Sequence, residues 1–164
     1  KMQEAGADFI TIHGRTRSQM YGGKADWKKI AELKRNVDIP VFANGDVVSV
    51  ETAVQCLEES QADGVAIGRG CLGDPTLLYR VERYINAGEY IAPPTLEEKI
   101  LTLKKHLNKE VEFRGENIGV KFCRKFYPYY VNGFTGASRL RGELVLIDKL
   151  NDIFKKLDNI LIIK

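Results

Sequence analysis

Short apolar runs alternate with helical periods as far as Ile91, and from Thr95 onward the helical periods stand alone. The first run, Asp8-Phe9-Ile10-Thr11-Ile12, is rich in β-branched and aromatic residues and reads as a strand. It ends in a polar cluster, His13-Gly14-Arg15-Thr16-Arg17, and Ser18 to Lys24 reads as a loop. Asp26 suits the N-cap of a helix whose apolar face is Trp27, Ile30, Leu33 and Val37. Pro40-Val41-Phe42 and Gly64-Val65-Ala66 read as two further strands. Between them Ser49 suits the N-cap of a helix with Val50, Ala53, Val54 and Leu57 on one face. After Asp74-Pro75 a helix is expected to turn Leu77, Leu78, Val81, Tyr84 and Ile85 inward.

Strands alternating with helices of this length imply a parallel sheet with right-handed crossovers. Three parallel strands cannot close a barrel, so the pattern describes either a small open α/β layer or part of a larger one. Lys1 to Gly6 resembles the last turn of a helix, with Gly6 suited to the position just past its end. A domain that opens inside a helix is expected to be a fragment.

Ala92-Pro93-Pro94 reads as a linker, and Thr95 with Glu98 has the spacing of a capping box. The long helix that follows carries Ile100, Leu103, Leu107 and Val111 and stops at Gly115. A second helix runs from about Asn117 through Phe122, Cys123 and Phe126, is kinked at Pro128 and ends at Asn132-Gly133. A third stretch, in one or two pieces, carries Leu140, Leu144, Ile147, Leu150, Phe154 and Leu157, and the tail from Ile160 to Ile163 is apolar. Residues 1–91 and 95–164 are thus expected to form an α/β domain and a helical domain.

Composition narrows the class. At 44% apolar and 29% charged the chain is globular, and no apolar run approaches the roughly 18 residues of a membrane span. No signal-peptide pattern opens it. Cys56, Cys71 and Cys123 are odd in number and lack metal-ligand spacing, which fits reduced thiols and a cytoplasmic location. A net charge of +3 supports no claim about nucleic acid by itself.

Chemistry concentrates at the strand ends. Asn44-Gly45-Asp46 and Gly68-Arg69-Gly70 each follow a strand and precede a helical pattern. Backbone N–H groups at helix starts attract anions, glycine lets an anion approach the main chain, and the Arg69 guanidinium can grip a phosphate. Any βα protein needs tight turns, so one such turn alone would mean little; two together suggest a phosphate site. The Asp46 carboxylate would repel a phosphate, so it either caps the next helix or holds a ribityl-type hydroxyl. His13 sits at the strand rim where α/β active sites lie, and Arg15 and Arg17 beside it suit an anionic ligand or a solvated rim. In the helical part Lys121, Arg124 and Lys125 interleave with Phe122, Phe126 and Tyr130. That pattern suits a nucleic-acid backbone, or a wet helix face over aromatic core.

Together these motifs, in this order, resemble the tRNA-dihydrouridine synthase family, in particular its bacterial B-type branch. The match rests on Thr11-Ile12-His13-Gly14-Arg15-Thr16-Arg17, Ala43-Asn44-Gly45-Asp46, Ile67-Gly68-Arg69-Gly70, and Arg124-Lys125 with Tyr130 and Gly133. The resemblance implies the C-terminal part of a (β/α)8 TIM barrel, strands six to eight, followed by an all-helical tRNA-binding domain. It implies FMN as cofactor, NADPH as reductant, and reduction of tRNA uridine to 5,6-dihydrouridine. Carried over by motif, His13, Asn44, Gly45, Asp46, Gly68 and Arg69 would hold FMN. Arg15 or Arg17, together with Lys121, Arg124 and Lys125, would face tRNA. The family's catalytic cysteine and a flavin-contacting lysine belong to the half not represented, so no catalytic residue is assigned and the chain alone is expected to be inactive. An open sheet would leave Ile10, Ile12, Val41 and Ala66 without partners and favour self-association or cover by the helical part. Two departures stand out: Phe126 where relatives often have histidine, and Thr76 where an aromatic usually follows the Gly-x-Pro turn. Other readings remain, namely a different FMN-dependent barrel oxidoreductase acting on a small molecule, or a non-catalytic RNA-binding module.

Overall fold

The computed structural model describes residues 1–162 and divides them into two compact units. The first comprises Lys1–Cys71 and Thr76–Ala92; the second comprises Leu72–Pro75 and the chain from Pro93 onward. Lys1 to Gly6 forms a single helical turn, Ala5 N–H donating to Lys1 O at 3.0 Å, and Gly6 ends it at φ 89°.

In the first unit, strands β1 (Ile10–His13), β2 (Val41–Asn44) and β3 (Gly64–Ala66) are parallel and ordered β1-β2-β3. Their register aligns His13 with Asn44 and Asn44 with Ala66, so the three strand ends share one rim. Helices α1 (Trp27–Lys34), α2 (Val50–Ser60) and α3 (Leu77–Ala87) follow the strands in turn. The caps read from sequence form as expected. Asp26 accepts from Lys29 N–H at 3.2 Å, and Ser49 and Thr52 cap each other's backbone. The core joins Trp27, Ile30, Val41, Ala43, Val50, Ala53, Leu77 and Val81.

The sheet faces differ from expectation. Ile12, Val41, Ala43 and Val65 point toward the helices and are packed there, and Ile10 is buried on the same face. The opposite face carries Thr11, His13, Phe42, Asn44 and Ala66, with Phe9 58% exposed and set edge-on against Phe42 at 5.6 Å. Of Ile10, Ile12, Val41 and Ala66, only Ala66 therefore lies on the open face. Strand alternation made two faces visible, but which one meets helices depends on where the crossovers run. Likewise α3 buries Leu77 and Val81 while Leu78, Tyr84 and Ile85 stay exposed, a narrower apolar stripe than expected.

In the second unit every element among the described residues is helical. α4 (Leu96–Arg114) opens with the expected Thr95–Glu98 capping box and ends at Gly115. α5 (Glu116–Cys123) then stops earlier than expected. A short 310 turn (Arg124–Phe126) leads into α6 (Tyr127–Tyr130), where Pro128 occupies the first turn instead of kinking a longer helix. Proline's missing N–H is harmless there, which is why a new helix starts at this point. α7 (Ala137–Val145) and α8 (Leu150–Ile162) complete the unit. Its core is Ile100, Leu103, Leu107, Val120, Tyr127, Leu144, Ile153 and Leu157, with Ile160 and Leu161 packed partly against it; Ile163 lies outside the described residues. Gly73, at φ 78°, abuts Tyr129, whose carbonyl oxygen would lie 2.2 Å from any Cβ; the Leu72–Pro75 turn accordingly belongs to this unit.

Candidate functional site

At the strand rim the two glycine turns lie directly against each other. Gly70 packs on the Val47 backbone so closely that a Cβ would fall 2.3 Å from Val47 O. Asn44 Nδ2 donates to Ala66 O at 2.5 Å, tying the ends of β2 and β3. Gly45, at φ 122°, accepts the Trp27 indole N–H at 3.0 Å and leaves no room for a side chain beside Ala25. Beside Gly68, by contrast, there is open space where a Cβ would be, and Arg69 is exposed next to it.

The helices begin at Val50 and Leu77, as the sequence placed them, and so stand a few residues beyond the glycine turns. Val47, Val48 and Ser49 separate Asp46 from α2, and only a short 310 turn (Arg69–Cys71) follows Gly68. An anion at this rim would therefore be held by turn N–H groups and Arg69, not by the end of a long helix.

Asp46 does not cap the next helix, which Ser49 does; its carboxylate is engaged within the fold and remains partly exposed. Both oxygens accept from Arg15 Nη2 at 2.7 Å, and Oδ2 also accepts from Ala25 N–H at 2.7 Å. Burial raises the Asp46 pKa, but the Ala25 and Arg15 hydrogen bonds and the charges of Arg15 and Arg69 outweigh it and hold the carboxyl below 3.8. Asp46 adopts the left-handed conformation at φ 58°.

Arg15 is correspondingly turned inward. Its side chain is 3% exposed and also donates to Gly22 O at 3.1 Å and Gly23 O at 2.7 Å. Arg17, by contrast, is exposed. The pairing was hidden in sequence because Arg15 and Asp46 are far apart along the chain and meet only through the sheet.

His13 is exposed at the end of β1, on the open face. Its Nδ1 accepts from Arg15 N–H at 3.1 Å, so a neutral ring presents Nε2–H outward. His13, Arg15, Thr16, Arg17, Met20 and Tyr21 line a cleft of about 320 Å3. Tyr21 was not singled out in the sequence, although an aromatic in a polar loop shortly after His13 was the available signal. Its ring lies under the Arg69 guanidinium, 4.3 Å from the centroid.

In the helical unit, Lys121 and Lys125 are exposed. Lys125 Nζ sits 3.7 Å from the Phe122 ring centroid and 4.9 Å from that of Phe126, and Arg114 lies 4.1 Å from that of Phe122. His106, another residue the sequence reading passed over, packs on Phe126 and bonds Tyr130 OH at 3.2 Å. Arg124 belongs to the fold: it pairs with Asp148 at 2.6 Å and its Nε is buried. Cys56 and Cys123 are buried, and burial pushes both thiols up to about 11, far from a reactive thiolate; Cys71 packs partly against the sheet core. Among the described residues no group of side chains has the makings of a metal site, and no helix is long and apolar enough to cross a membrane.

Residues 1–162 match the family model for dihydrouridine synthase (Dus). The chain belongs to the dihydrouridine synthase family. Among its relatives, a probable tRNA-dihydrouridine synthase 1 from Synechocystis is 43% identical over 152 residues, covering 93% of this chain and 42% of that protein. The tRNA-dihydrouridine synthase B of Pseudomonas aeruginosa is 36% identical over 141 residues, covering 86% of this chain and 42% of its own length. A probable tRNA-dihydrouridine synthase from Mycobacterium leprae is 38% identical over 157 residues. The chain spans less than half the length of these relatives.

Proposed function

We propose that this chain is the FMN-phosphate side and helical part of a tRNA-dihydrouridine synthase, the sheet being strands six to eight of a (β/α)8 barrel. The observation that carries this is the pair of interlocked turns, with open space at Gly68 beside the exposed Arg69. The residues present fit FMN in a specific way. Asn44, Gly45, Gly68 and the Asp46 N–H would hold the phosphate and ribityl arm, Arg69 would supply the cation, and His13 would contribute a ring N–H donor on the same rim. The carboxylate of Asp46 contributes by fixing Arg15. The open face with Phe9, Phe42 and Thr11 becomes barrel interior in the whole protein, and in the chain alone it favours self-association.

FMN, once reduced by NADPH, would supply a hydride to one carbon of the uridine C5–C6 bond, the other carbon taking a proton. This chain's residues would orient that group at its phosphate end. None of the three cysteines is placed as the acid for the second carbon, since Cys56 and Cys123 are buried and Cys71 packs partly against the sheet core. The 164-residue chain alone should therefore form no dihydrouridine.

In the full-length protein, Arg69→Ala is expected to weaken FMN about 10- to 100-fold, as for loss of a charge-assisted phosphate contact, and to leave riboflavin affinity unchanged. Flavin fluorescence titration reads both, and mass spectrometry of tRNA after NADPH addition reads dihydrouridine. Equal loss for riboflavin would remove the phosphate role; flavin turnover without tRNA reduction would favour a small-molecule oxidoreductase.

For tRNA, Lys121 and Lys125 are the exposed contacts on the aromatic face. Lys121→Ala with Lys125→Ala should lower tRNA affinity several-fold and shrink the logarithmic salt slope by about 1–2. An unchanged slope in filter binding across a salt series would remove this face from the interface. Arg124 is left intact because truncating it would break its pair with Asp148.

A further inference from the structure

We propose that Tyr21 is a positioning residue that presets the Arg69 guanidinium for the phosphate end of a flavin, an inference that rests on the FMN reading above. The loop from Thr16 to Lys24 is polar and open, and Tyr21 is 68% exposed. An exposed aromatic on a free loop would hold nothing in place. This loop is not free.

Its near end is cross-linked through Gln19, whose Oε1 accepts from Thr16 N–H at 2.8 Å and Thr16 Oγ1 at 3.0 Å. Gly22 N–H donates back to Gln19 O at 2.7 Å. The far end is stapled by Arg15, which reaches Gly22 O and Gly23 O while Asp46 holds its Nη2. Ala25 N–H donates to the same carboxylate. The residue next to Tyr21 is thus tied, through one guanidinium and one carboxylate, to the turn that carries Gly45. Tyr21 emerges from this frame with its ring under Arg69.

The consequence is a lowered ordering cost. An exposed arginine loses side-chain freedom when it grips a ligand, and a ring face already occupied by its guanidinium removes part of that loss. The sheet rim then offers the anion a cation at a set height. The Asp46–Arg15 pair acts on the phosphate site at second hand through Tyr21.

The test compares FMN with riboflavin, which lacks the phosphate, by flavin fluorescence titration of the full-length protein. Tyr21→Ala is expected to weaken FMN about three-fold and leave riboflavin unchanged. Tyr21→Phe, which keeps the ring face, should bind both as the parent does. In the Arg69→Ala background, Tyr21→Ala should have no further effect on FMN. Loss of both flavins alike, an unchanged FMN affinity, or losses that add in the double variant would each overturn the role. A protein that binds neither flavin overturns the FMN reading itself, and this inference with it. Normal flavin discrimination combined with a raised tRNA KM in Tyr21→Ala would assign the ring to the substrate and also overturn it.

Discussion

Asp46→Ala should destabilise the sheet unit by about 2–3 kcal/mol, somewhat less than breaking a fully buried ion pair costs, because Asp46 is itself partly wetted. The loss arises on the other side of the pair. Arg15 is 3% exposed and its Nη1 already has no hydrogen-bond partner, so removing the carboxylate leaves a buried guanidinium with only two backbone carbonyls. Ala25 N–H is orphaned at the same time. Trp27 is the chain's single tryptophan, and its indole N–H donates to Gly45 O, so urea unfolding followed by its fluorescence reads this turn directly. The midpoint should fall with the m-value unchanged. A shift equivalent to less than about 0.5 kcal/mol would mean the pair is surface decoration.

The same pair gives a pH dependence of defined sign. The folded Asp46 pKa lies below its ordinary 3.8, so the folded state favours the ionised form. Its contribution is complete above the ordinary value, declines as pH falls through 3.8, and is gone below the depressed folded value. The Asp46→Ala variant should therefore lose less stability than the parent protein between pH 5 and the acid limit, in unfolding titrations at matched ionic strength.

Gly70→Ala should cost about 2 kcal/mol, within the usual range for overpacking, and more than tenfold in FMN affinity. The new methyl would meet Val47 O at 2.3 Å and Val48 Cα at 3.1 Å. Both are backbone, so no side chain can swing aside and the two turns must part. Gly68→Ala is the matched control, since nothing lies within 4 Å of its Cβ position. It should fold with unchanged stability and still bind FMN more weakly, because its methyl would fill the space the phosphate needs. Equal behaviour of the two variants would contradict the arrangement of the rim.

Much of this was legible along the chain. Asp26, Ser49 and Thr95 announced three helices because capping is local: the side chain bonds the backbone only three residues on. Parallel strand direction followed from alternation with helices, since a parallel neighbour needs a crossover. The rim motifs were also visible, as glycine and histidine at strand ends. What misled was everything that depended on a distant partner. Leu78, Tyr84 and Ile85 fit a helical period yet stay exposed on α3, and Pro128 could not be told from a kink until α5 ended before it.

For this protein, then, local chemistry along the sequence determined the elements, their caps, the parallel order and the residues gathered at one sheet rim. Tertiary structure decided which face of the sheet met helices, and which polar groups remained available. Arg15 and Asp46 look equally suited to a ligand in sequence, but in the fold they neutralise each other. A buried charge must find an opposite one, and the partner that serves lies 31 residues along the chain, across the sheet.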